Sequence, residues 1–484
     1  MRKRITGTLF LIIMICSHLS AHSGKPKYHV IIDTDGALDD MRALSMFLSG
    51  NDIRVLAINC SQGAFSPESV FTKVSTLLAS FHHEGIPVGV SKETDAELPA
   101  DASSGSEILW GNPANPDALY FTGKSTEILN QAIKDYPEKV TLVALGSLKT
   151  YAEWIKDHPG YVDKIDRIIW YNSHNITEGY NYQLSPESYE SIRQSGIRLD
   201  VVMGYSDAFP VDRDYLKVIR NTGSIYAGQI AEVHSGSPVT EALDQGDLYL
   251  REDLVPLYLT VPILFENETA PGLRSISLNR LIPASYINEL IGKLLMSATT
   301  TNNRVFNSFP VEAKLYKPEY ADIMHQTIEK FGLIEWKAIA LTNEIHGHTG
   351  IYSIIGAKMG IRAMDYFNVG INNLEVTTFA GNDPPLSCFN DGVQISTGAT
   401  IGQGLITISD STSAIPSAIF EFNGRKVRIA AKPEIAEQMQ REIRHGVETY
   451  GALTDPYWLY IEDLAIKYWA DFDRNEIFVI ERKR

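Results

Sequence analysis

Short runs rich in Val and Ile alternate with helical patterns from Tyr28 onward, and this alternation limits the fold more than any other feature of the chain. Tyr28–Asp35, Ile53–Asn59, Ile86–Val90, Val140–Leu145, Arg167–Tyr171 and Leu199–Met203 read as strands. Asp39–Leu48, Pro67–Phe81, Ser125–Tyr136, Thr150–His158 and Pro186–Gln194 read as the helices between them. Strand then helix, repeated, predicts an α/β unit with a mostly parallel sheet flanked by helices. Ligands of such sheets sit at the carboxyl ends of the strands. The pattern fades after a helix at Tyr286–Met296, and the small polar run Ser297–Asn303 reads as a linker. A second, α+β unit follows. It has a helical segment around Tyr320–Phe331, a Gly-punctuated helix near Thr349–Phe367 and strands near Glu375–Phe379, Leu405–Ile408 and Ala418–Phe422. Helices Pro433–His445 and Tyr457–Trp469 and a strand Ile477–Ile480 close it. The expected division is a first unit over 27–296, a linker over 297–319 and a second unit over 320–484.

Charge narrows the partners. Acidic residues outnumber basic ones, 59 to 43, in 484 residues. Nothing there compensates phosphate charge, so nucleic acid is not an expected partner. Three cysteines rule out a disulfide framework. Arg2, Lys3 and Arg4, the apolar run Leu9–Cys16 and the ending Leu19-Ser20-Ala21 read as a signal peptide over 1–21. The expectation is export to the periplasm or beyond, favoured over a lipoprotein at Cys16 or an uncleaved anchor. The apolar run is too short for a ~20-residue span, so no membrane insertion is expected once the leader is removed.

Asp33-Thr-Asp35-Gly-Ala-Leu-Asp39-Asp40 places four carboxylates at the end of the first strand and the start of the first helix. Asp33 and Asp35 share one strand face. Asp39 and Asp40 sit where the helix dipole favours negative charge. Like charges so close are costly unless a cation neutralises them, and hard oxygens point to Ca²⁺ or Mg²⁺. An EF-hand loop would need Gly and Glu where Leu38 and Leu44 stand.

Two families share this opening. Asp33–Leu38 resembles the first motif of haloacid-dehalogenase-like magnesium phosphatases, in which Asp33 would be the nucleophile. Asp33–Asp40 resembles the Asp-x-Asp-Pro-Gly-x-Asp-Asp motif of the inosine/uridine-preferring nucleoside hydrolases, and the Asp39-Asp40 pair favours this second family. Val143-Ala-Leu-Gly-Ser-Leu-Lys-Thr150, Gly179-Tyr-Asn-Tyr-Gln-Leu-Ser-Pro-Glu187 and Glu252-Asp253 are similar to later segments of the hydrolases, in the same order. The resemblance implies calcium-dependent hydrolysis of the N-glycosidic bond of a small-molecule nucleoside or related N-riboside. It implies Asp35 as catalytic base and ligand, Asp40 and Asp253 as further ligands, and a backbone carbonyl ligand from Lys149. Asp39, Asn59 and Asn181 would hold the sugar, with Asn172 or Asn175 as a third asparagine, and Trp110 would stack on the base or pack in the core. Glu252 stands where many members have a His, and it would act as general acid if protonated. Gly179 replaces a sugar-binding Glu. A nucleoside-binding protein that keeps the metal but not catalysis is the non-enzyme alternative. Homo-oligomerisation is left open.

In the second unit, His346-Gly-His348 and Leu386-Ser-Cys388-Phe-Asn-Asp-Gly-Val-Gln-Ile-Ser-Thr-Gly-Ala-Thr-Ile-Gly402 resemble the FmdE domain of the formylmethanofuran dehydrogenases. His346, His348 and Cys388 are candidate ligands of a transition metal such as Zn²⁺. Gly350 stands where that family has a further Cys. The alternative is two turn-bound histidines and a buried thiol. Thr397–Gly404 would either cradle an anion or make turns.

Overall fold

The computed structural model describes residues 26–93, 107–111, 121–134, 136–173, 175–204, 209–297, 303 and 305–483. The leader expected over 1–21 lies outside them. The first unit is built on β1 (Tyr28–Thr34), β2 (Ile53–Cys60), β3 (Val88–Val90), β4 (Thr122–Lys124), β5 (Val140–Ala144), β6 (Ile165–Ser173), β7 (Leu199–Gly204), β8 (Phe265–Ala270) and β9 (Leu273–Leu278). Their order across the sheet is β4-β3-β2-β1-β5-β6-β7-β9-β8. Every neighbouring pair is parallel except β8 with β9.

The central strands are covered on both faces, which is why they read as unbroken apolar runs. Along β1, Val30 and Ile32 enter a core shared with the helix Leu38–Ser49, while Ile31 enters the opposite core with Leu129 and Tyr151. β4 (Thr-Gly-Lys) and β8 (Phe-Glu-Asn-Glu-Thr-Ala) carry no such run. β8 is an exposed edge whose acidic residues discourage pairing with another chain.

The second unit folds around β10 (Glu375–Thr378), β11 (Ile406–Ile408), β12 (Ser417–Phe422), β13 (Arg425–Ala431) and β14 (Phe478–Lys483), in the order β11-β10-β12-β13-β14. Its core helix is Ile351–Phe367. The glycines of that helix admit the helix Phe389–Thr397: a Cβ at Gly356 would lie 2.1 Å from the Phe389 carbonyl oxygen, and one at Gly360 would lie 1.9 Å from Ser396 Oγ. His346 lies before this helix and not in it. It ends the preceding helix, Leu333–His346, where Gly347 takes φ +82°. Gly398 and Gly404 also have positive φ, so Thr397–Gly404 is a helix end followed by turns.

The units meet at the amino ends of the first sheet's strands. Arg54, at the start of β2, donates to the Asn368 carbonyl and to Asn373 Oδ1. Arg362 pairs with Glu84, and His83 Nδ1 donates to the Asp365 carbonyl, 2.7 Å away. Arg425 donates to the Gly85 carbonyl and lies against the rings of Phe121, Phe367 and Phe422. The carboxyl ends of the strands lie away from this contact. No helix among the described residues is long and apolar enough to cross a membrane.

Candidate active site

The strand register sets Asp33 of β1 beside Asn59 of β2 and Ala144 of β5. After Thr34 the chain turns through Gly36, at φ +77°, and enters the helix Leu38–Ser49. Asp40 ties this turn together. Thr34 Oγ1 (2.6 Å) and the Asp35 N–H (3.0 Å) both donate to its Oδ2. Ser61, just past β2, donates to Asp33 Oδ1 at 2.6 Å, and the other oxygen of Asp33 has no partner. Asp35 sits between two glycines: a Cβ at Gly63 would fall 2.1 Å from its Oδ2, and one at Gly146 would fall 3.2 Å from it. Any larger residue at 63 would displace the carboxylate.

The carboxylates are charged only at a cost. Burial pushes Asp33 up to about 7, against the Ser61 hydrogen bond. Burial, with repulsion from Asp39, pushes Asp35 up to about 6. Asp40 and Glu252 are raised by burial first and then by neighbouring carboxylates. A bound cation would reverse that cost.

Asp39, Asp40 and Glu252 each bring an oxygen within 4.8 Å of the others. Glu252 is buried with one oxygen unpaired. Asp253, expected as a ligand, is engaged elsewhere: Arg42 Nε and Nη2 donate to its two oxygens at 2.9 and 2.8 Å. Lys149 opens the helix after β5, and its ammonium reaches toward Glu153.

The sugar-binding asparagines divide. Asn59 is wholly buried and neither of its side-chain polar atoms has a partner. Asn172 donates to the Ile176 carbonyl at 2.6 Å and leaves its Oδ1 buried and unpaired. A Cβ at Gly179 would lie 1.8 Å from that oxygen, so Asn172 occupies the space of the missing glutamate. Asn181 donates to the Leu145 and Tyr171 carbonyls. Asn175 is exposed and accepts from Thr177 within its own turn, so it does not join this group. Trp110, 1% exposed and edge-on to His234, packs in the core and presents no open face for stacking.

Sequence reasoning passed over Arg42, Ser61 and Gly63. Arg42 carried a signal: it is the one basic residue in the mostly apolar run Met41–Leu48 that follows the carboxylates.

In the second unit, Asp391 accepts from His346 Nδ1 at 2.7 Å, and His346 Nε2 is buried without a partner. The rings of His346 and His348 lie 4.3 Å apart. A cavity of about 220 Å³ adjoins them, lined by His348, Thr349, Trp458 and Glu462. Cys388 is half-buried and its thiol is raised by burial, then by Asp391. It does not form a three-ligand group with the two histidines; among the described residues that description fits Asp39, Asp40 and Glu252.

Residues 30–222 match the family model "Inosine-uridine preferring nucleoside hydrolase", and residues 345–455 match "FmdE, Molybdenum formylmethanofuran dehydrogenase operon". The pyrimidine-specific ribonucleoside hydrolases RihA of Salmonella paratyphi B and Salmonella typhi are 31% identical over 179 residues. Those matches cover 35% of this chain and 57% of each relative, so the chain spans a little over half the length of the curated relatives it matches. Among solved structures, the inosine-uridine preferring nucleoside hydrolase of Bacillus anthracis aligns with TM-score 0.47 at 15% identity, over 56% of this chain and 99% of that one. The purine-preferring ribonucleoside hydrolase of Gardnerella vaginalis aligns with TM-score 0.45 at 14% identity, over 56% and 99%. The chain joins a nucleoside hydrolase-like domain to an FmdE-like domain.

Proposed function

We propose that the first unit hydrolyses the N-glycosidic bond of ribonucleosides with the help of a calcium ion. The observation that carries this is a set of buried polar atoms without partners at the strands' carboxyl ends: Asp33 Oδ2, both polar atoms of Asn59, Asn172 Oδ1 and Glu252 Oε2. Such atoms are rare in a folded interior unless a ligand completes them. The oxygen-only donor set suits calcium, with Asp35, Asp40, the Lys149 carbonyl and Glu252 or Asp253 as the residues that would hold it. When bound, the ion supplies a Lewis acid that favours hydroxide over water and anchors the sugar diol.

The chain's own residues do the rest. Asp39, Asn59, Asn172 and Asn181 orient the ribose hydroxyls. Asp35, fixed between Gly63 and Gly146, accepts the proton of the water that attacks the anomeric carbon. The glycosidic electrons leave with the base. The phosphatase alternative is not favoured: the family model that matches residues 30–222 is that of a nucleoside hydrolase, and Ser61 holds Asp33 Oδ1.

Pyrimidine ribonucleosides are the first substrates to test, since the curated relatives are pyrimidine-specific. Reducing sugar should appear with calcium and not with a chelator, and Asp35→Asn should lower the rate by about 10²–10⁴-fold. Calcium-dependent nucleoside binding without ribose release would favour the binding-protein alternative, which the Glu252 and Gly179 positions support.

For the second unit we propose a transition-metal site that uses His346 Nε2 with His348. Asp391 fixes the His346 tautomer so that this nitrogen is free to coordinate. Metal analysis of the purified chain and of His346→Ala tests it. Residues 1–21 support export.

A further inference from the structure

We infer that Glu252, not Asp253, closes the cation site, and that Arg42 is the positioning residue that makes this choice; the inference rests on the hydrolase reading above. Arg42 lies on the helix Leu38–Ser49 and is 1% exposed. Its Nε and Nη2 grip the two oxygens of Asp253, and Nη2 also donates to the Tyr249 carbonyl at 3.0 Å. Its Nη1 lies 3.3 Å from His234 Nε2. His234 Nδ1 is 2.8 Å from the Ile230 carbonyl, which can only accept, so Nδ1 carries the proton and Nε2 accepts from Arg42. Every nitrogen of the guanidinium is thus committed. For Asp253 to turn to a cation, a buried guanidinium would lose its counter-charge.

Glu252 is in the opposite situation. Its neighbours in reach are the carboxylates of Asp39 and Asp40, and its Oε2 is buried with no partner. The basic residue nearest this cluster is the half-exposed Arg251, whose Nε lies 4.0 Å from Asp39 Oδ2. Among the described residues no cationic side chain pairs with Glu252 itself as Arg42 pairs with Asp253, so a bound cation is what would complete it. A Glu bound to the ion cannot also be the proton donor to the leaving base. The substrate class that follows is N-glycosides whose base departs without a proton from this position.

The experiment is calcium titration of the full chain, paired with ribose release from a ribonucleoside and from p-nitrophenyl riboside. Glu252→Gln should weaken calcium binding by roughly 100-fold or more, and Asp253→Asn by less than about 10-fold. Glu252→Gln should lose equal activity on the two substrates, whereas a general acid would be needed only on the nucleoside. If Asp253→Asn fails to fold, the double variant Arg42→Met with Asp253→Leu removes the pair as a unit and should still bind calcium. Equal weakening by the two single variants, loss of binding in the double variant, or a loss confined to the nucleoside would overturn the inference and leave the hydrolase reading standing. Wild-type chain that binds calcium with this ranking and releases no ribose overturns the hydrolase reading alone; wild-type chain that binds no calcium overturns both.

Discussion

Removing the cation should make the first unit's stability depend steeply on pH, in a direction opposite to that of ordinary carboxylates. In the cation-free protein Asp33 and Asp35 titrate near 7 and 6 instead of 3.8. Their native pKa values lie above the unfolded ones, so between these limits the folded state binds more protons than the unfolded state. Stability therefore falls as pH rises through 6 and 7. Full ionisation of Asp33 opposes folding by ~4 kcal/mol and that of Asp35 by ~3 kcal/mol, at 1.36 kcal/mol per pKa unit. Over pH 5 to 8 the two together amount to about 4 kcal/mol. For a domain of this size that is a drop in Tm of roughly 10 °C. Calcium at 100 times its Kd restores ~2.7 kcal/mol. At a fixed calcium concentration it should restore more at pH 8 than at pH 5, where binding must displace protons and Kd is larger. The assay is calorimetry in chelator and in calcium across this range, following the transition that responds to calcium. The double variant Asp33→Asn with Asp35→Asn should reduce the slope, leaving the part that Asp40 and Glu252 contribute. A chelated Tm that is constant or rises from pH 5 to 8, or a calcium shift equal at both ends, would refute the argument.

Three further outcomes follow from the packing. Gly63→Ala puts a Cβ 2.1 Å from Asp35 Oδ2 and should weaken calcium binding and activity by roughly 100-fold, as read by calorimetric titration and ribose release; near-wild-type binding would contradict the contact. Glu335 is fully buried between Lys358 (2.5 Å) and Arg474 (3.0 Å), so Glu335→Gln should cost the second unit about 3–5 kcal/mol in denaturant unfolding, and a loss under about 1 kcal/mol would count against the pair. Arg425→Ala empties a site among three aromatic rings and frees the Gly85 carbonyl. It should cost about 2–4 kcal/mol and split the melting of the two units, visible as earlier proteolysis between them.

What could be read from the sequence followed from burial. β1, β2 and β5 announced themselves because strands covered on both faces must be apolar throughout. The carboxylates after β1 stood out because four acids in eight residues repel one another unless a cation is near. β4 and β8, at the two edges, have no such requirement and left no signal. The choice between Glu252 and Asp253 was equally invisible. Adjacent residues at a helix start point in different directions, and only the position of Arg42, some two hundred residues earlier in the chain, shows that Asp253 is already paired. Trp110 and Asn175 show the same limit. A Trp beside a Gly fits a stacking platform as well as a core, and an Asn near a strand end fits a sugar contact as well as a turn. Gly179 is the converse case: its effect is set by Asn172, which reaches into the space that a glutamate would need.

The way the units are joined keeps their two sites apart. The second unit covers the amino ends of β2 and β3 through Arg54, Arg425 and the His82–Gly85 turn, while the carboxylate cluster lies at the other end of β1, a seven-residue strand about 23 Å long. The helix Ile351–Phe367 runs toward the contact, whereas β1 runs away from it. Its carboxyl end, at Asp365 and Tyr366, meets the first unit, and His346–His348 lie before its amino end, so its 17 residues set the histidines ~25 Å from the contact. Each site thus lies at the end of its element remote from the shared contact. Loading the second site with metal should leave KM and kcat of ribose release unchanged. A change in either would require the helix Ile351–Phe367 to move against the His82–Gly85 turn, and Arg425→Ala should then abolish that change while leaving metal binding at His346 intact.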